Sequence, residues 1–295
     1  MNKQEIGLFG QIEDAVVKNV GVTGTIIGEG CVAGIVGVAT AVNKTTYIQN
    51  CYNKSKIYAE IEFVDTYVGG IVAFAWGESE ENKVIIEDCY NEGQLEGKGM
   101  TAIAGVVNMP IYCEINRCYN VGNIYTDGVS FVGGIVAQAS ESKIYNSYNI
   151  GDITAINNQE VGGIAGEIES TQIYNVYNAG KIILKTNVND SAGIVGSVYE
   201  NSKIGNAFNI GIIEGEYNWK YECVGGYGEE DIDKPLYYVL GRNNPSLVVT
   251  DKFVSKTLSE INSQAFVDEL NENIKDMPEC VKWKLGNNGY PVLDM

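Results

Sequence analysis

Short apolar runs alternate with glycine and asparagine turns along most of the chain, and this alternation recurs at a regular distance. The clearest pair of copies is IYNSYNIGDI, which begins at Ile144, and IYNVYNAGKI, which begins at Ile173, 29 residues later. The apolar runs are about five to eight residues long, shorter than most helices, and glycine pairs interrupt them. The pattern therefore predicts strands in a repeat protein rather than helical repeats.

Each copy carries an aromatic residue with an isoleucine four positions before it and an asparagine directly after it. Successive aromatic residues lie 38, 29, 29, 29 and 31 positions apart, and polar insertions such as 78–82 account for the longer early interval. The aromatic residues are Tyr52, Tyr90, Tyr119, Tyr148, Tyr177 and Phe208. The asparagines are Asn53, Asn91, Asn120, Asn149, Asn178 and Asn209. We expect each set to form one column along a stack.

A second block, built from a glycine pair or Ala-Gly followed by small apolar residues, precedes each aromatic motif. Its second glycine is Gly34, Gly70, Gly105, Gly134, Gly163 or Gly193. A partial copy opens the chain, because Gly7 stands 14 residues before Gly21, the interval that also separates Gly134 from Tyr148. The sequence thus contains seven copies, and a degenerate eighth is predicted to begin at Val224-Gly225-Gly226.

A short unit with one apolar face cannot bury that face alone, so it must stack on its neighbours. We predict an all-β fold, a parallel β-helix (β-solenoid) of about seven 29-residue coils, which we expect to be right-handed. Equivalent residues would lie about 4.8 Å apart, close enough for amides to form ladders and for rings to stack. A second polar column is expected two residues before the aromatic one, with Arg117 as its exception, at Asn50, Asp88, Arg117, Asn146, Asn175 and Asn206.

The repeat pattern ends near residue 251. Residues Thr257 to Glu260 match a capping box at a helix start. An apolar stripe with a period of four follows, at Phe266, Leu270 and Ile274. We predict one helix ended by Pro278, then a short hairpin over Trp283 to Leu293. The chain is accordingly divided into a solenoid, residues 1–250, and a small α+β C-terminal cap, residues 251–295, that covers exposed strand edges.

Charge and composition exclude several classes of function. The formal net charge is −18 and the pI is near 4.4, so the surface repels phosphate backbones and anionic lipids. We expect no nucleic-acid partner and no membrane insertion, since no apolar run reaches 18 residues. Residues 1–9 lack the layout of a secretion signal. The chain has no histidine, which excludes Ser-His-Asp and Cys-His nucleophiles, and no catalytic residue or cofactor is predicted.

The cysteines and the acidic run 229–233 are the remaining candidates for metal or redox chemistry. None of the seven cysteines forms a C-x-x-C pair. Cys51, Cys89 and Cys118 share one small-residue column, where parallel stacking would hold them too far apart for good disulfide geometry, so we expect them reduced. The acidic run lacks the G-G-x-G-x-D pattern of calcium-binding solenoids, and we interpret it as a solvated loop. No metal site is predicted.

Tyr145 and Tyr174 are the residues we predict to bind a ligand. The other members of their column are polar residues or glycine, namely Gln49, Glu87, Asn116 and Gly205. A polar column is expected to face solvent, so two adjacent rings there would stack on a glycan or on a partner. The main tyrosine column is interpreted as packing, because one residue type at one repeat position is typical of a structural role. Carboxylates keep no shared column, so no pair suited to glycan hydrolysis stands out.

Several segments match a known family of repeats. They are Gly134-Ile135-Val136, Asn50-Cys51-Tyr52-Asn53, Tyr119-Asn120-Val121-Gly122, and an ending with Phe266-Val267-Asp268-Glu269-Leu270-Asn271, Trp283 and Gly289-Tyr290-Pro291-Val292-Leu293. Together they resemble the GLUG-motif repeats of bacterial cell-surface proteins, and the ending is similar to the segment that closes such arrays in Firmicutes. The resemblance covers nearly the whole chain and implies a cell-surface or secreted setting. It implies relatives among adhesin-like proteins and in the non-catalytic repeat regions of IgA-cleaving metalloproteases, whose zinc motif does not occur here.

Our leading hypothesis is a non-enzymatic, extracellular repeat module that acts as an elongated stalk or an adhesive surface. Carbohydrate or host protein are its expected partners. The first repeat begins by Gly7 with no capping segment before it, which predicts that the chain is part of a larger polypeptide. A polysaccharide-degrading β-helix enzyme that uses carboxylates is the alternative.

Overall fold

The computed structural model describes residues 4–128, 131–157, 160–186, 188, 190–215, 220–226, 231–243 and 252–295, without the side chains of 60–65, 100, 101 and 220. The chain forms an all-β solenoid of about seven turns, which confirms the predicted fold class. Each turn contributes strands to three sheets, named A, B and C here. All strand pairings between coils in the described ranges are parallel.

The strands of each sheet follow one another at roughly the repeat distance. Sheet A contains Glu5–Ile6, Thr25–Gly28, Cys31–Ala33, Lys56–Gly69, Leu95–Ala104, Ile124–Asp127, Val132–Gly133, Ile153–Ile156, Val161–Gly162, Ile182–Lys185, Ser191–Ala192, Ile213–Glu214 and Lys220–Tyr221. Sheet B contains Phe9–Glu13, Val36–Ala41, Val72–Gly77, Val107–Ile111, Val136–Ser140, Ala165–Glu169 and Val195–Val198. Sheet C contains Val16–Lys18, Gly21–Val22, Thr46–Gln49, Tyr52–Asn53, Val84–Glu87, Tyr90–Asn91, Cys113–Asn116, Tyr119–Asn120, Lys143–Tyr145, Tyr148–Asn149, Gln172–Asn178, Lys203–Asn209, Leu236–Val239 and Phe253–Lys256.

The isoleucines of the repeat fill the interior between sheets B and C. All six are fully buried, at Ile48, Ile86, Ile115, Ile144, Ile173 and Ile204. Each is stacked in register on its neighbours, as Ile144 is on Ile115 and Ile173. Burial of one such side chain stabilises the fold by about 1.5 to 3 kcal/mol, so a column of them accounts for much of the driving force for stacking.

Glycine in the second block makes room for the asparagine column. A Cβ atom added to Gly134 would lie 2.0 Å from the carbonyl oxygen of Gly163 and 2.5 Å from Cγ of Asn149. Both distances are shorter than any non-bonded contact allows. The glycine block and the asparagine block of one repeat are therefore a matched pair, which explains why the sequence repeats them together.

The long interval between Tyr52 and Tyr90 has two sources. One is the polar insertion at 78–82, which the structure places in a turn outside the strands. The other is a register shift in sheet A, where the pairing with the next coil breaks between Ile61 and Thr66. The insertion named from the sequence therefore accounts for part of the extra length only.

The eighth coil begins earlier than the sequence pattern predicts. Val224 pairs with Val195, so Glu222 rather than Gly226 falls at the position of Gly193. Tyr237 pairs with Phe208 and so extends the aromatic column by one residue. The motif is hidden because Ile232 precedes Tyr237 by five residues instead of four.

Two helices, not one, follow the strand Phe253–Lys256, which lies within the predicted cap and pairs with sheet C. Helix α1, Leu258–Ile261, has the predicted capping box: the Glu260 carboxylate accepts from the Thr257 backbone N–H at 2.7 Å, and Thr257 Oγ1 accepts from the Glu260 N–H at 3.3 Å. Ser263 then caps helix α2, Gln264–Asn273, which ends before Pro278. The expectation of one helix is wrong, because α1 ends at Ile261 and the Ser263 cap begins a second helix.

The predicted hairpin is present. Its antiparallel strands are Trp283–Leu285 and Pro291–Leu293. The turn closes through a hydrogen bond from the Gly286 N–H to the Tyr290 carbonyl, 2.9 Å long, and Gly289 adopts φ +93°, a left-handed conformation that suits glycine. The division of the chain at residue 250 falls within 244–251, outside the described residues, and stays a prediction.

Candidate functional site

The aromatic residues form a continuous stack along sheet C. Ring centroids of successive members lie 5.3, 4.9, 4.9, 4.9 and 5.1 Å apart from Tyr52 to Phe208, and neighbouring ring planes differ by 13° at most. The stack begins at Tyr52, because the preceding coil has Gly21 in register with it. The neighbouring rings cover both faces of an inner ring, so only the edge of that ring is accessible to a binding partner.

The asparagines beside the stack form a hydrogen-bonded ladder. Each Nδ2 donates to Oδ1 of the asparagine in the next coil, over 2.7 to 2.9 Å from Asn53 to Asn209. The same Nδ2 also donates to a carbonyl two residues ahead, as Asn149 does to Gly151 at 2.9 Å. All six asparagines are buried, and these bonds satisfy amides that would otherwise be costly to bury.

The second polar column has an unusual backbone conformation that explains its composition. All six residues have positive φ, between 47° and 61°, at Asn50, Asp88, Arg117, Asn146, Asn175 and Asn206. Asparagine and aspartate tolerate this conformation better than other residues that carry a Cβ atom. Arg117 is held there by ion pairs to Asp88 at 2.7 Å and to Glu87 at 2.9 Å.

The C-terminal tail docks on this second column along the flank of the solenoid. Asn146 Nδ2 donates to the Glu279 carbonyl at 2.8 Å, and its Oδ1 accepts from the Val281 N–H at 2.9 Å. One coil further, Asn175 Nδ2 donates to the Val281 carbonyl at 2.8 Å, and its Oδ1 accepts from Trp283 Nε1 at 2.5 Å. The tail therefore forms hydrogen bonds with successive members of the second polar column and runs across the direction of the strands.

The same tail covers the last part of the aromatic stack. The Trp283 ring lies 5.3 Å from Phe208 and 5.9 Å from Tyr177, and Tyr290 meets Tyr177 edge-on at 6.1 Å. Phe266 of helix α2 packs edge-on against Tyr237 at 4.9 Å. Burial raises the pKa of the Tyr177 hydroxyl. These contacts place the tail over the side of the final coils.

Tyr145 and Tyr174 lie next to each other, as the period predicts, but the expectation that they face solvent is wrong. Their centroids are 6.0 Å apart, and the side chains are only 6% and 5% exposed. The Tyr145 hydroxyl donates to Gln172 Oε1 at 2.9 Å, and the Tyr174 hydroxyl donates to Asp233 Oδ2 at 2.5 Å. The eighth coil and the tail near Cys280 cover the rings, because the chain folds back over its own column. The two rings are not available to stack on a ligand.

The acidic run 229–233 is described in part. Glu229 and Glu230 lie outside the described residues. Asp231 is buried, so the interpretation as a solvated loop is wrong for that residue, whereas Asp233 is exposed and accepts the bond from Tyr174. Within the described ranges, no group of three or more Cys, Asp or Glu side chains is placed to hold a metal ion.

The seven cysteines, all in described segments, form no disulfide. In the small-residue column, the Cys51 backbone N–H donates to Cys89 Sγ at 3.4 Å, and each thiol is buried. Burial raises the pKa of Cys89, and it raises the pKa of Cys113 to about 12. Thiols with raised pKa values, as at Cys89 and Cys113, are poor nucleophiles, whereas the hydrogen bond with Cys89 lowers the pKa of Cys51 to about 7. The burial of all three thiols agrees with a packing role.

Three carboxylates that the sequence analysis missed lie at the junction of sheets A and B, and two of them act on the third. Burial, with the charges of Glu167 and Asp190, raises the pKa of Glu160 to about 7. Oε2 of Glu160 has no hydrogen-bond partner within the described ranges. Burial also raises the pKa of Glu167, although Gln138 donates to that carboxylate at 2.6 Å. A protonated carboxyl beside an ionised one is the arrangement that general acid–base catalysis uses.

A signal for two of these carboxylates was present in the sequence. Val161 pairs with Ser191, so Glu160 and Asp190 occupy one column in adjacent coils. Each stands directly before the glycine block of its copy. Glu167 belongs to a different strand, and only the bend between sheets A and B brings it near the other two.

Parallel coils, a stacked aromatic column and a buried amide ladder define this chain as a β-solenoid repeat protein. No protein family profile and no curated protein sequence matches it. Among solved structures it is similar to a crystal structure titled as a putative immunoglobulin A1 protease from Bacteroides ovatus, with 16% identity and a TM-score of 0.45. The match covers 95% of this chain and 75% of that one. In the described ranges, no helix has the length and apolar character that crossing a bilayer requires.

Proposed function

We propose that this chain is a non-enzymatic, elongated module that spaces other parts of a polypeptide or presents a binding surface. The observation that supports the proposal is the asparagine ladder, which runs without a break from Asn53 to Asn209. Such a ladder holds neighbouring coils in register and resists bending, as a stalk requires. The side chains at the repeated positions are used in internal packing.

The setting we propose is the surface of a bacterial cell or the secreted fraction, where the chain would form part of a larger, adhesin-like polypeptide. The resemblance to GLUG-motif repeats supports this setting. The acidic surface, with a net charge of −18, suits a protein that must stay dispersed at high local concentration. Carbohydrate or host protein are the partners we propose.

An assay of product release tests the non-enzymatic proposal. The purified chain is incubated with a panel of neutral, acidic and amino polysaccharides, and new reducing ends are measured from pH 5 to pH 8. We expect no release above the no-protein blank. Release of product that disappears in Glu160→Gln would overturn the proposal.

A second candidate function is hydrolysis of a polysaccharide by carboxylates. The specific observation in its favour is Glu160, whose pKa of about 7 suits a general acid, beside Glu167 and Asp190. This candidate predicts that Glu160→Gln and Glu167→Gln each abolish release. Glu81→Gln, which changes an exposed carboxylate in the 78–82 turn, is the matched control and should leave release unchanged.

A further inference from the structure

The outer face of sheet B has an apolar part and an acidic part. Two residues of each strand point outward, and equivalent residues of successive strands form two parallel rows. Phe74 is in register with Met109 in one row, and Trp76 is in register with Ile111 in the other. These four half-buried side chains form an apolar patch across two adjacent coils.

The composition of the face changes within two coils. Ile111 is in register with Ser140, and Ser140 is in register with Glu169. In the other row, Gln138 is in register with Glu167. The strands of sheet B contain no lysine and no arginine, so neither carboxylate has a basic neighbour on its own sheet.

A furrow lies between the two parts. It has a volume of about 190 Å³, and the strand Val136–Ser140 forms its floor, with Gln138 and Ser140 outward. Met109 and Ile111 line one wall, and Glu167 and Glu169 line the other. The walls are two coils apart, so their backbones are separated by about 9 to 10 Å. The furrow runs along the strands, so an extended peptide can lie over it with alternate side chains directed to the two walls.

We propose that this furrow binds an extended segment of a partner protein with the pattern basic, apolar, basic. In an extended chain, residues i and i+2 point to one side and are about 6.6 to 7 Å apart, the spacing that Glu167 and Glu169 also have as alternate residues of one strand. Two lysines of the segment would meet these carboxylates, and the apolar residue between them would face Met109 and Ile111. Apolar contact on one side and charge on the other fix the orientation of the segment.

This inference rests on the proposed function, since it names the surface that the module presents. The burial that raises the pKa of Glu167 is consistent with it, because a bound ammonium would stabilise the ionised carboxylate. A glycan is disfavoured as the occupant, since two carboxylates beside an aliphatic wall suit cations better than neutral hydroxyls.

Calorimetric titration with short peptides tests the inference. The probe is acetyl-Gly-Lys-Leu-Lys-Gly-amide, and the control peptide, acetyl-Gly-Lys-Lys-Leu-Gly-amide, has the same charge and composition in another order. We expect the probe to bind about tenfold more tightly than the control peptide. Glu167→Gln with Glu169→Gln should weaken probe binding about tenfold, and Ser140→Phe, which fills the floor without changing charge, should weaken it comparably.

The control variant is Glu78→Gln with Glu81→Gln, which removes the same charge from an exposed turn and should leave probe binding unchanged. Equal binding of the two peptides, or equal weakening by the two double variants, would reduce the effect to non-specific attraction and overturn the inference. Absence of probe binding would also overturn it. None of these outcomes would contradict the proposed function, which is contradicted only if the wild-type chain releases product from a polysaccharide. Circular dichroism melts of each variant confirm that the fold is retained.

Discussion

Replacing Asn149 with aspartate isolates the contribution of the asparagine ladder, because the two side chains have nearly the same shape. Asn149 Nδ2 donates to the Gly151 carbonyl at 2.9 Å and to Asn178 Oδ1 at 2.8 Å, and its Oδ1 accepts from Asn120 at 2.8 Å. An ionised aspartate keeps the accepting role and loses both donations. The Gly151 carbonyl and Asn178 Oδ1, which are both buried acceptors, then lack this donor and face a carboxylate oxygen instead.

The magnitude follows from the number of acceptors that lose a donor. Each buried polar group without a partner costs about 1 to 3 kcal/mol, so Asn149→Asp should lower the free energy of unfolding by about 2 to 6 kcal/mol. The burial of charge adds to this loss. Asn209→Asp, at the end of the ladder, removes a donor from the Gly211 carbonyl alone and should cost about 1 to 3 kcal/mol less.

Urea denaturation at pH 8 measures both variants, with Gln94→Glu as an exposed amide-to-carboxylate control in the same repeat region. The introduced carboxyl should have a raised pKa, because burial favours its neutral form. Its protonation restores one donor, so the deficit of Asn149→Asp should shrink as the pH falls. A midpoint equal to that of the wild type at pH 8, or equal losses at positions 149 and 209, would refute the ladder as a source of stability.

Three other predictions follow from burial and charge. Ile173→Asp puts a charge in the fully buried isoleucine column and should lower the free energy of unfolding by about 4 kcal/mol or more. The control Ile150→Asp, at a 37% exposed position, should be nearly neutral. Cooperative melting of Ile173→Asp at the wild-type temperature would contradict the assignment of Ile173 to the core. Trp283→Ala should lower the free energy of unfolding by about 3 to 5 kcal/mol, release the tail and make it sensitive to limited proteolysis. Leu285→Ala, at an exposed position, should leave the tail resistant. Equal cleavage of the two variants would argue against docking of the tail through Trp283. The pKa of Glu160 is raised from 4.5 to about 7, so the folded state binds this proton more tightly than the unfolded state does, and the resulting stability should be lost as the pH rises from 4.5 to about 7. Glu160→Gln should flatten this pH dependence of the melting temperature, and an unchanged profile would show that the carboxyl titrates normally.

The contacts that could be predicted from the sequence are those between one position and the same position in the next copy. Tyr148 stacks on Tyr119 and Tyr177, and Asn149 bonds to Asn120 and Asn178, because parallel coils bring equivalent residues within one strand spacing. The period alone is enough for such contacts. The capping box at Thr257 and the hairpin were predictable for a similar reason, since each involves neighbours in the chain.

The sequence by itself thus determined the stack, its columns and the local elements of the tail. Only the tertiary structure decided which faces of the stack are covered. Tyr145 and Tyr174 are buried because the tail returns along the flank, and no periodicity encodes that return. Burial and the charge of Glu167 raise the pKa of Glu160 across the junction of two sheets, and the furrow opens at Ser140, whose short side chain lies between Ile111 and Glu169 of the neighbouring coils. These features combine different positions around the coil, so they depend on the path of the backbone, which the repeat pattern does not specify.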